Sequence, residues 1–304
     1  MDSILCAGCY KIPDRMDFNI ADGSGLRFPG GKHGSCRSFA DGKIKIIGVM
    51  MKIIFKKTTI ILCALLYAAF VFAQVPDTET MYGIMDKAFF NNNFLEDFTC
   101  TLSLIIEKPN EPKEAAQFKL FRRDVKDQTC LVQIAPEADK GVGYLQEKNN
   151  LWAYDPISRS FTHSSLKRNL GNSDAKISDV NKKEKFKDSW EILNIEESKL
   201  GKFDVYAVTA KALDKDASYA QEKFFVRKDE GLILKVESYG ASGRHMRTTL
   251  VPKYAKVNGV PLPVHQIHIN ELVKGEKTTQ IFADFDNSKI PDVVFTKAYL
   301  EKIN

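Results

Sequence analysis

Cysteine is scarce in the body of this chain. Of six, only Cys100 and Cys130 lie beyond residue 73, so a disulfide framework does not hold the fold. Charge of either sign in excess is also missing. Lys and Arg number 44 against 39 Asp and Glu, a net +5, and the two signs are interspersed. That excludes a dedicated nucleic-acid surface and leaves at most weak attraction to anionic membranes. There is no internal repeat, no low-complexity linker and no Gly-x-Ser-x-Gly elbow. Ser and His adjacent in sequence, as in His163-Ser164-Ser165, seldom reach triad geometry. His265 and His268, three apart in a strand pattern, fall on opposite faces and do not share a metal. Asp284, Asp286 and Asn287 lack the calcium-loop spacing. No catalytic residue, metal or cofactor is expected.

What is present is a globular composition, 44% hydrophobic and 27% charged, over 304 residues. The start has two parts. Met51-Lys52-Ile53-Ile54-Phe55-Lys56-Lys57 is a basic leader, Ile60 to Phe72 is an apolar run, and Val71-Phe72-Ala73 supplies small residues before Gln74. This reads as a signal peptide over 51–73, cleaved after Ala73. Residues 1–50 are then an upstream extension from a start codon placed too early, Gly-rich, without sustained period and disordered. The competing reading takes Cys6, Cys9, His33 and Cys36 as four zinc ligands ahead of a membrane anchor. The apolar run is shorter than the ~20 residues a spanning helix needs.

Residues 74–304 make the remaining domain. Met81, Ile84, Met85, Ala88 and Phe89 mark one helix face between Asp77 and Asn93. Strands follow with period two: Phe98, Cys100, Leu102, Leu104 and Ile106; then Ala116, Phe118 and Leu120; then Cys130, Val132 and Ile134. Shorter strands surround Tyr144, Trp152–Tyr154 and Phe161. From Trp190 seven more run to Asp286, with Asn258-Gly259 and Lys274-Gly275 as turns, and a short helix closes the chain at Thr296–Lys302. The fold class is mainly β with a few helices (α+β): a large curved antiparallel sheet or half-barrel with helices covering the concave face. Both cysteines are read as inward-facing. In a meander the first and third strands lie about 9–10 Å apart, beyond the roughly 7 Å a disulfide spans. Two buried free thiols are expected.

The stretch from Asp139 to Val180 breaks the strand pattern. After two aromatic strands comes a basic, then a Gly/Asn/Ser/Asp-rich segment. Lys167, Arg168, Leu170, Ser173, Asp174 and Asp179 are the candidate lid, with Lys167 and Arg168 open to phosphate headgroups. Leu102, Leu104, Ile106, Phe118, Leu120, Val132, Ile134, Trp152 and Tyr154 are the candidate cavity lining. The same stripe serves equally as a filled core.

Several segments resemble the LolA-like family of periplasmic outer-membrane lipoprotein-sorting proteins. They are Lys140-Gly141-Val142-Gly143-Tyr144-Leu145 with Leu151-Trp152-Ala153-Tyr154-Asp155-Pro156, and Leu170-Gly171-Asn172-Ser173-Asp174 with Ser178-Asp179-Val180. Leu232 to Tyr239 with Ser242-Gly243, and Gly275 to Thr279 with Ile290-Pro291-Asp292, Phe295-Thr296 and Tyr299-Leu300, complete the set. The resemblance runs from about Phe98 to Ile303 and is nearer the spirochaete and Bacteroidetes branch than the enterobacterial carrier. It implies a half-barrel closed by helices and a hydrophobic cavity that holds acyl chains of lipoproteins or lipids. It implies a periplasmic carrier, not an enzyme, working towards the outer membrane between an inner-membrane transporter and an outer-membrane acceptor. In the enterobacterial carrier an arginine helps hold the lid shut; the resemblance assigns no counterpart among Arg122 and Arg123. The alternatives are a periplasmic accessory of an RND-type membrane exporter, binding protein rather than lipid, and an envelope-lipid hydrolase. N-terminal sequencing of the exported protein should give Gln74 as the first residue; a mature chain starting before Met51 would overturn this account of the start.

Overall fold

The computed structural model describes residues 75–90, 97–181, 184–257 and 259–303. The chain divides into Met1–Phe72 and Ala73–Asn304, and every described element belongs to the second unit. The upstream extension, the signal peptide and the alternative zinc set Cys6, Cys9, His33 and Cys36 lie outside the described residues.

Thirteen strands form one open antiparallel sheet, a curved half-barrel. Six come before the crossing segment: β1 (Phe98–Glu107), β2 (Glu114–Arg123), β3 (Gln128–Ala135), β4 (Gly143–Glu147), β5 (Asn150–Asp155) and β6 (Ser160–Ser164). Seven come after: β7 (Trp190–Leu200), β8 (Phe203–Ala212), β9 (Gln221–Arg227), β10 (Ile233–Tyr239), β11 (His245–Val257), β12 (Val260–Asn270) and β13 (Lys277–Asp286). Each set is a meander, and antiparallel pairing of β1 with β13 joins them. β6 and β7, consecutive in the chain, are therefore the two outer edges. In a flat sheet thirteen strands at about 4.8 Å would set those edges roughly 58 Å apart. A sheet this wide curls, and the segment between Ser164 and Trp190 crosses its concave face.

Helices lie where apolar stripes need cover. Helix α1 (Thr78–Phe90) is capped by Asp77, whose Oδ1 accepts from the Thr80 amide at 2.8 Å. Its Met81, Met85 and Ala88 are buried, and the two methionines pack on Val208, Ala210, Phe224 and Val226 of β8 and β9. The crossing segment contributes α2 (Ile177–Val180) and α3 (Phe186–Ser189). Phe186 packs edge-on against Phe89 and Phe224, at 5.1 and 5.4 Å between ring centres. At the C-terminus a 3₁₀ turn over Asp292–Phe295 leads into α4 (Lys297–Lys302).

The C-terminal segment covers the opposite face of the sheet. Ile290, Val294, Phe295 and Leu300 pack with Cys130, Val132, Leu145 and Tyr154. Leu131, Tyr144 and Leu151, one residue out of phase, pack on the concave side. β3, β4 and β5 are thus apolar on both faces, and period two alone does not say which face is which. The inward assignment of Cys130, Val132 and Ile134 is corrected on this ground. Cys100 belongs to the concave cluster and Cys130 to the outer one. Both thiols are free and buried, and burial pushes each pKa up to about 12.

One close approach fixes α4 on the sheet. A Cβ built on Gly143 would stand 2.7 Å from Leu300 Cδ2. Gly143→Ala should cost about 1–3 kcal/mol by overpacking, and pairing it with Leu300→Ala should relieve part of that cost. Denaturant midpoints of the single and double variants check this; strictly additive losses would place α4 elsewhere.

Candidate functional site

Two packed regions occupy the concave face. Under one, Leu170, Ala175, Ile177 and Val180 of the crossing segment lie on Leu102, Leu104, Ile106, Phe118 and Leu120 of β1 and β2. Under the other, α1 and α3 lie on β8 and β9. Between them is a cavity of about 390 Å³ over β9–β12. Its apolar wall includes Phe89, Trp190, Phe224, Ile233, Val236 and Val251. Its polar wall includes Lys176, Asp179, Asn181, Tyr219, Glu222 and Arg247.

The crossing segment is fastened along its length. Lys108 Nζ donates to Asn172 Oδ1 at 2.5 Å, and Asn172 Nδ2 donates to Glu114 Oε2 at 3.3 Å. The Asp174 amide donates to Thr278 Oγ1 of β13 at 2.9 Å, and Asn270 of β12 reaches Asp174 Oδ1 at 3.4 Å. Arg122 on β2 donates to the Val180 carbonyl at 3.0 Å while its other nitrogens hold Asp124 at 2.6 and 2.7 Å. Ser173 turns inward on the segment itself, donating to the Leu170 carbonyl at 2.7 Å.

The strongest fastening is Arg247 with Asp179. Both guanidinium Nη atoms donate to the carboxylate at 2.9 Å, and the two side chains are only 10% and 12% exposed. Arg247 also donates to the Asp174 carbonyl at 3.3 Å. The fork is bidentate and charge-assisted, the geometry in which such pairs are strongest. Burial opposes the Arg247 charge, but Asp179 outweighs it and the net shift is upward. Two cations lie near the Tyr219 ring: Arg247 at 5.3 Å and Lys176 Nζ at 4.7 Å from its centre. Burial pushes the Tyr219 phenol up to about 12. Burial, followed by the Arg247 charge, pulls the Lys176 ammonium down. Burial and then the Glu276 carboxylate push Asp174 up.

The candidate lid residues divide. Asp174 and Asp179 anchor the segment, Leu170 and Ser173 are buried in it, Lys167 is exposed, and Arg168 lies 5.9 Å from the Tyr144 ring centre. None of the nine candidate lining residues is among those that line the cavity. Leu102, Leu104, Ile106, Phe118 and Leu120 are on the concave face but filled over by the crossing segment. Val132, Ile134, Trp152 and Tyr154 are on the outer face: Tyr154 and Val132 pack with the C-terminal segment, Ile134 is 41% exposed, and Lys297 Nζ sits 3.3 Å over the Trp152 ring. His163, half of the Ser/His neighbour pair, is exposed on edge strand β6 and stacks edge-on with Trp152 at 5.0 Å. His268 is buried at the cavity floor, its ring nitrogens bonded to Thr249 Oγ1 at 3.0 Å and Gln280 Oε1 at 3.2 Å. Asp286 turns onto Ser288.

Arg247, Tyr219, Trp190 and Phe224 were not singled out in the sequence. No local signal marked Arg247: its register on β11 reads His245, Thr249, Val251 and Lys253, and the neighbouring register carries the apolar Met246 and Leu250.

The chain is matched over residues 125–302, more than half its length, by a family whose description is "Uncharacterized protein". No curated protein sequence matches it. Among solved structures it is similar to a LolA superfamily protein from Nitrosomonas europaea, with TM-score 0.63 and 19% identity over 71% of this chain and 97% of that one. An outer membrane lipoprotein-sorting protein domain from Vibrio parahaemolyticus gives 0.64 and 17% over 73% and 98%. A DUF1329 family protein from Desulfovibrio piger gives 0.64 and 18% over 73% and 98%. At these identities the likeness establishes the fold.

Asp179→Ala should leave Arg247 buried and unpaired, a change that costs about 3–5 kcal/mol when a buried pair is broken. Amide hydrogen exchange across residues 166–181 should accelerate at least tenfold while β1–β3 stay protected. Unchanged exchange in that segment would mean that the pair does not hold it.

Proposed function

Since the chain belongs to the family matched over residues 125–302 and carries the LolA-superfamily fold, we propose that it is a periplasmic carrier of acyl chains of lipoproteins or lipids. The observation that carries the reading is the cavity of about 390 Å³ between the two packed regions, apolar on one wall and closed on another by a fastened crossing segment. That volume lies within the ~300–1,000 Å³ of small-molecule sites. An acyl chain gains about 0.8 kcal/mol for each CH₂ it removes from water, so an apolar wall of this kind is sufficient to hold one in transit.

In this reading the crossing segment is the lid. Closed, its Leu170, Ala175, Ile177 and Val180 sit on the floor made by Leu102, Leu104, Ile106, Phe118 and Leu120. Opened, it would uncover that floor and join it to the cavity, so a chain would replace the lid's own apolar groups at little net cost in buried surface. The Arg247–Asp179 fork is the gate, because it is a bidentate ion pair between lid and sheet with both side chains nearly buried. Lys167 and Arg168, both exposed near the start of the lid, would meet phosphate headgroups. An inner-membrane transporter would load the carrier and an outer-membrane acceptor would unload it. Chemistry on the ligand is not part of the reading.

Protein purified from an envelope without detergent should carry lipid that mass spectrometry identifies after extraction. Protein that emerges lipid-free and also takes up no apolar fluorescent probe would refute the carrier reading.

A further inference from the structure

Asn181, just after α2 within the crossing segment, carries a side-chain amide without a hydrogen-bond partner among the described residues. It is 7% exposed, and both Nδ2 and Oδ1 are buried. Buried amides in native structures are rarely left so. It lines two spaces at once: the main cavity and a smaller one of about 40 Å³ behind it. Two further polar atoms on the main cavity are orphaned in the same way, Arg247 Nε and Gln146 Oε1. The smaller space is apolar at its far end, where Phe98, Leu262, Val264, Phe282 and Phe285 meet.

The sign of the missing partner follows from the charges on the lining. Of its four carboxylates, Asp179 is held by Arg247, Glu222 accepts from Ser238 Oγ at 2.7 Å, Asp127 accepts from Gln146 Nε2 at 3.3 Å, and Glu184, like Lys148, is exposed to solvent. The open atoms among the described residues are two donors, Arg247 Nε–H and Asn181 Nδ2, and two acceptors, Asn181 Oδ1 and Gln146 Oε1, so the buried charge beside them sets the sign. The Lys176 ammonium lines the same space against Tyr219, lowered by its own burial and by the Arg247 charge. An anion entering the cavity would relieve that repulsion; a cation would add to it. The volume, in the lower part of the small-molecule range, admits one ligand of modest size.

On the carrier reading, we propose that Asn181 and Arg247 seat the anionic oxygen head of a single-chain amphiphile, a long-chain carboxylate or a monoalkyl phosphate. Its chain lies along the apolar wall at Trp190, Phe224 and Val236. The site therefore selects by head group as well as by chain, through donors on two different elements, Asn181 of the lid and Arg247 of β11.

The test displaces phenylnaphthylamine from the delipidated, exported protein with palmitate, hexadecyl phosphate or hexadecanol, at a pH where both acids are ionised. One or both anions should compete at least about tenfold better than hexadecanol, about 1.4 kcal/mol, and the better of the two identifies the head as carboxylate or phosphate. Asn181→Leu should abolish most of that preference with hexadecanol affinity kept, and Asn181→Asp should turn it against the anions. Equal competition by all three ligands on the unmodified protein overturns the seat, needs no variant to fold, and leaves the carrier reading standing. Protein that takes up no probe fails the carrier reading, and the seat with it. A preference that survives in both variants, with near-ultraviolet circular dichroism unchanged, removes Asn181 from the seat.

Discussion

The chain must cross its own sheet. β6 and β7 follow one another in sequence but stand at opposite edges of thirteen strands. Whatever joins them has to pass over a face, and the concave face is the shorter way. That one constraint makes a connection into a cover. It also explains why the segment is irregular. Its backbone bonds partly to itself, through a bridge of Asn169 with Lys176 and bonds from the Leu170 and Ile177 amides to the Ala175 and Arg168 carbonyls, and it takes further partners from β13, β12, β11 and β2. Among the described residues two apolar groups of contacts, around Ile177 and around Phe186, hold it to the floor. The cavity is the stretch between them.

Two adjacent arginines show how the sheet serves both faces. Neighbouring residues on a strand point to opposite sides. Arg122 turns to the concave face, over the Phe98 ring at 4.9 Å, and holds the Val180 carbonyl of the crossing segment. Arg123 turns outward, over the Phe295 ring at 4.8 Å, and holds Asp97, Asp292 and the Ile290 carbonyl. The second network lowers the pKa of Asp97, with the Arg123 hydrogen bond as the largest cause, and ties the C-terminal segment to the start of β1. Covering the outer face in this way lets β3 to β5 be apolar on both sides.

Legibility in the sequence followed the number of buried faces. β1 and β2 were placed correctly as concave from alternation, because their outward residues are polar: Thr101, Ser103, Gln117 and Lys119. The third strand was placed on the wrong face, because Cys130-Leu131-Val132 is apolar at every position. Trp152 and Tyr154 went wrong for the same reason, Leu151 and Ala153 being the concave pair on β5. Helix α1 was legible from its 3.6-residue stripe, within three residues at its C-terminal end. In the cover, Asp174 and Asp179 were recognised as belonging to it, but their partners Asn270 and Arg247 lie far along the chain and no local pattern links them.

Residue order alone determined the element types, their antiparallel sense and the existence of a break between Ser164 and Trp190. Those depend on side-chain periodicity and turn chemistry, which are local. Tertiary structure decided what the break does. The pairing of β1 with β13 joins residues at the two ends of the sheet-forming chain, and from it follow the edges, the crossing and the gap that becomes the cavity. It also decided which buried polar groups are satisfied. Arg247 meets Asp179, while the side chain of Asn181, two residues beyond Asp179, has no hydrogen-bond partner among the described residues. Whether a buried group finds a partner depends on positions distant in sequence, and period and spacing carry no information about them.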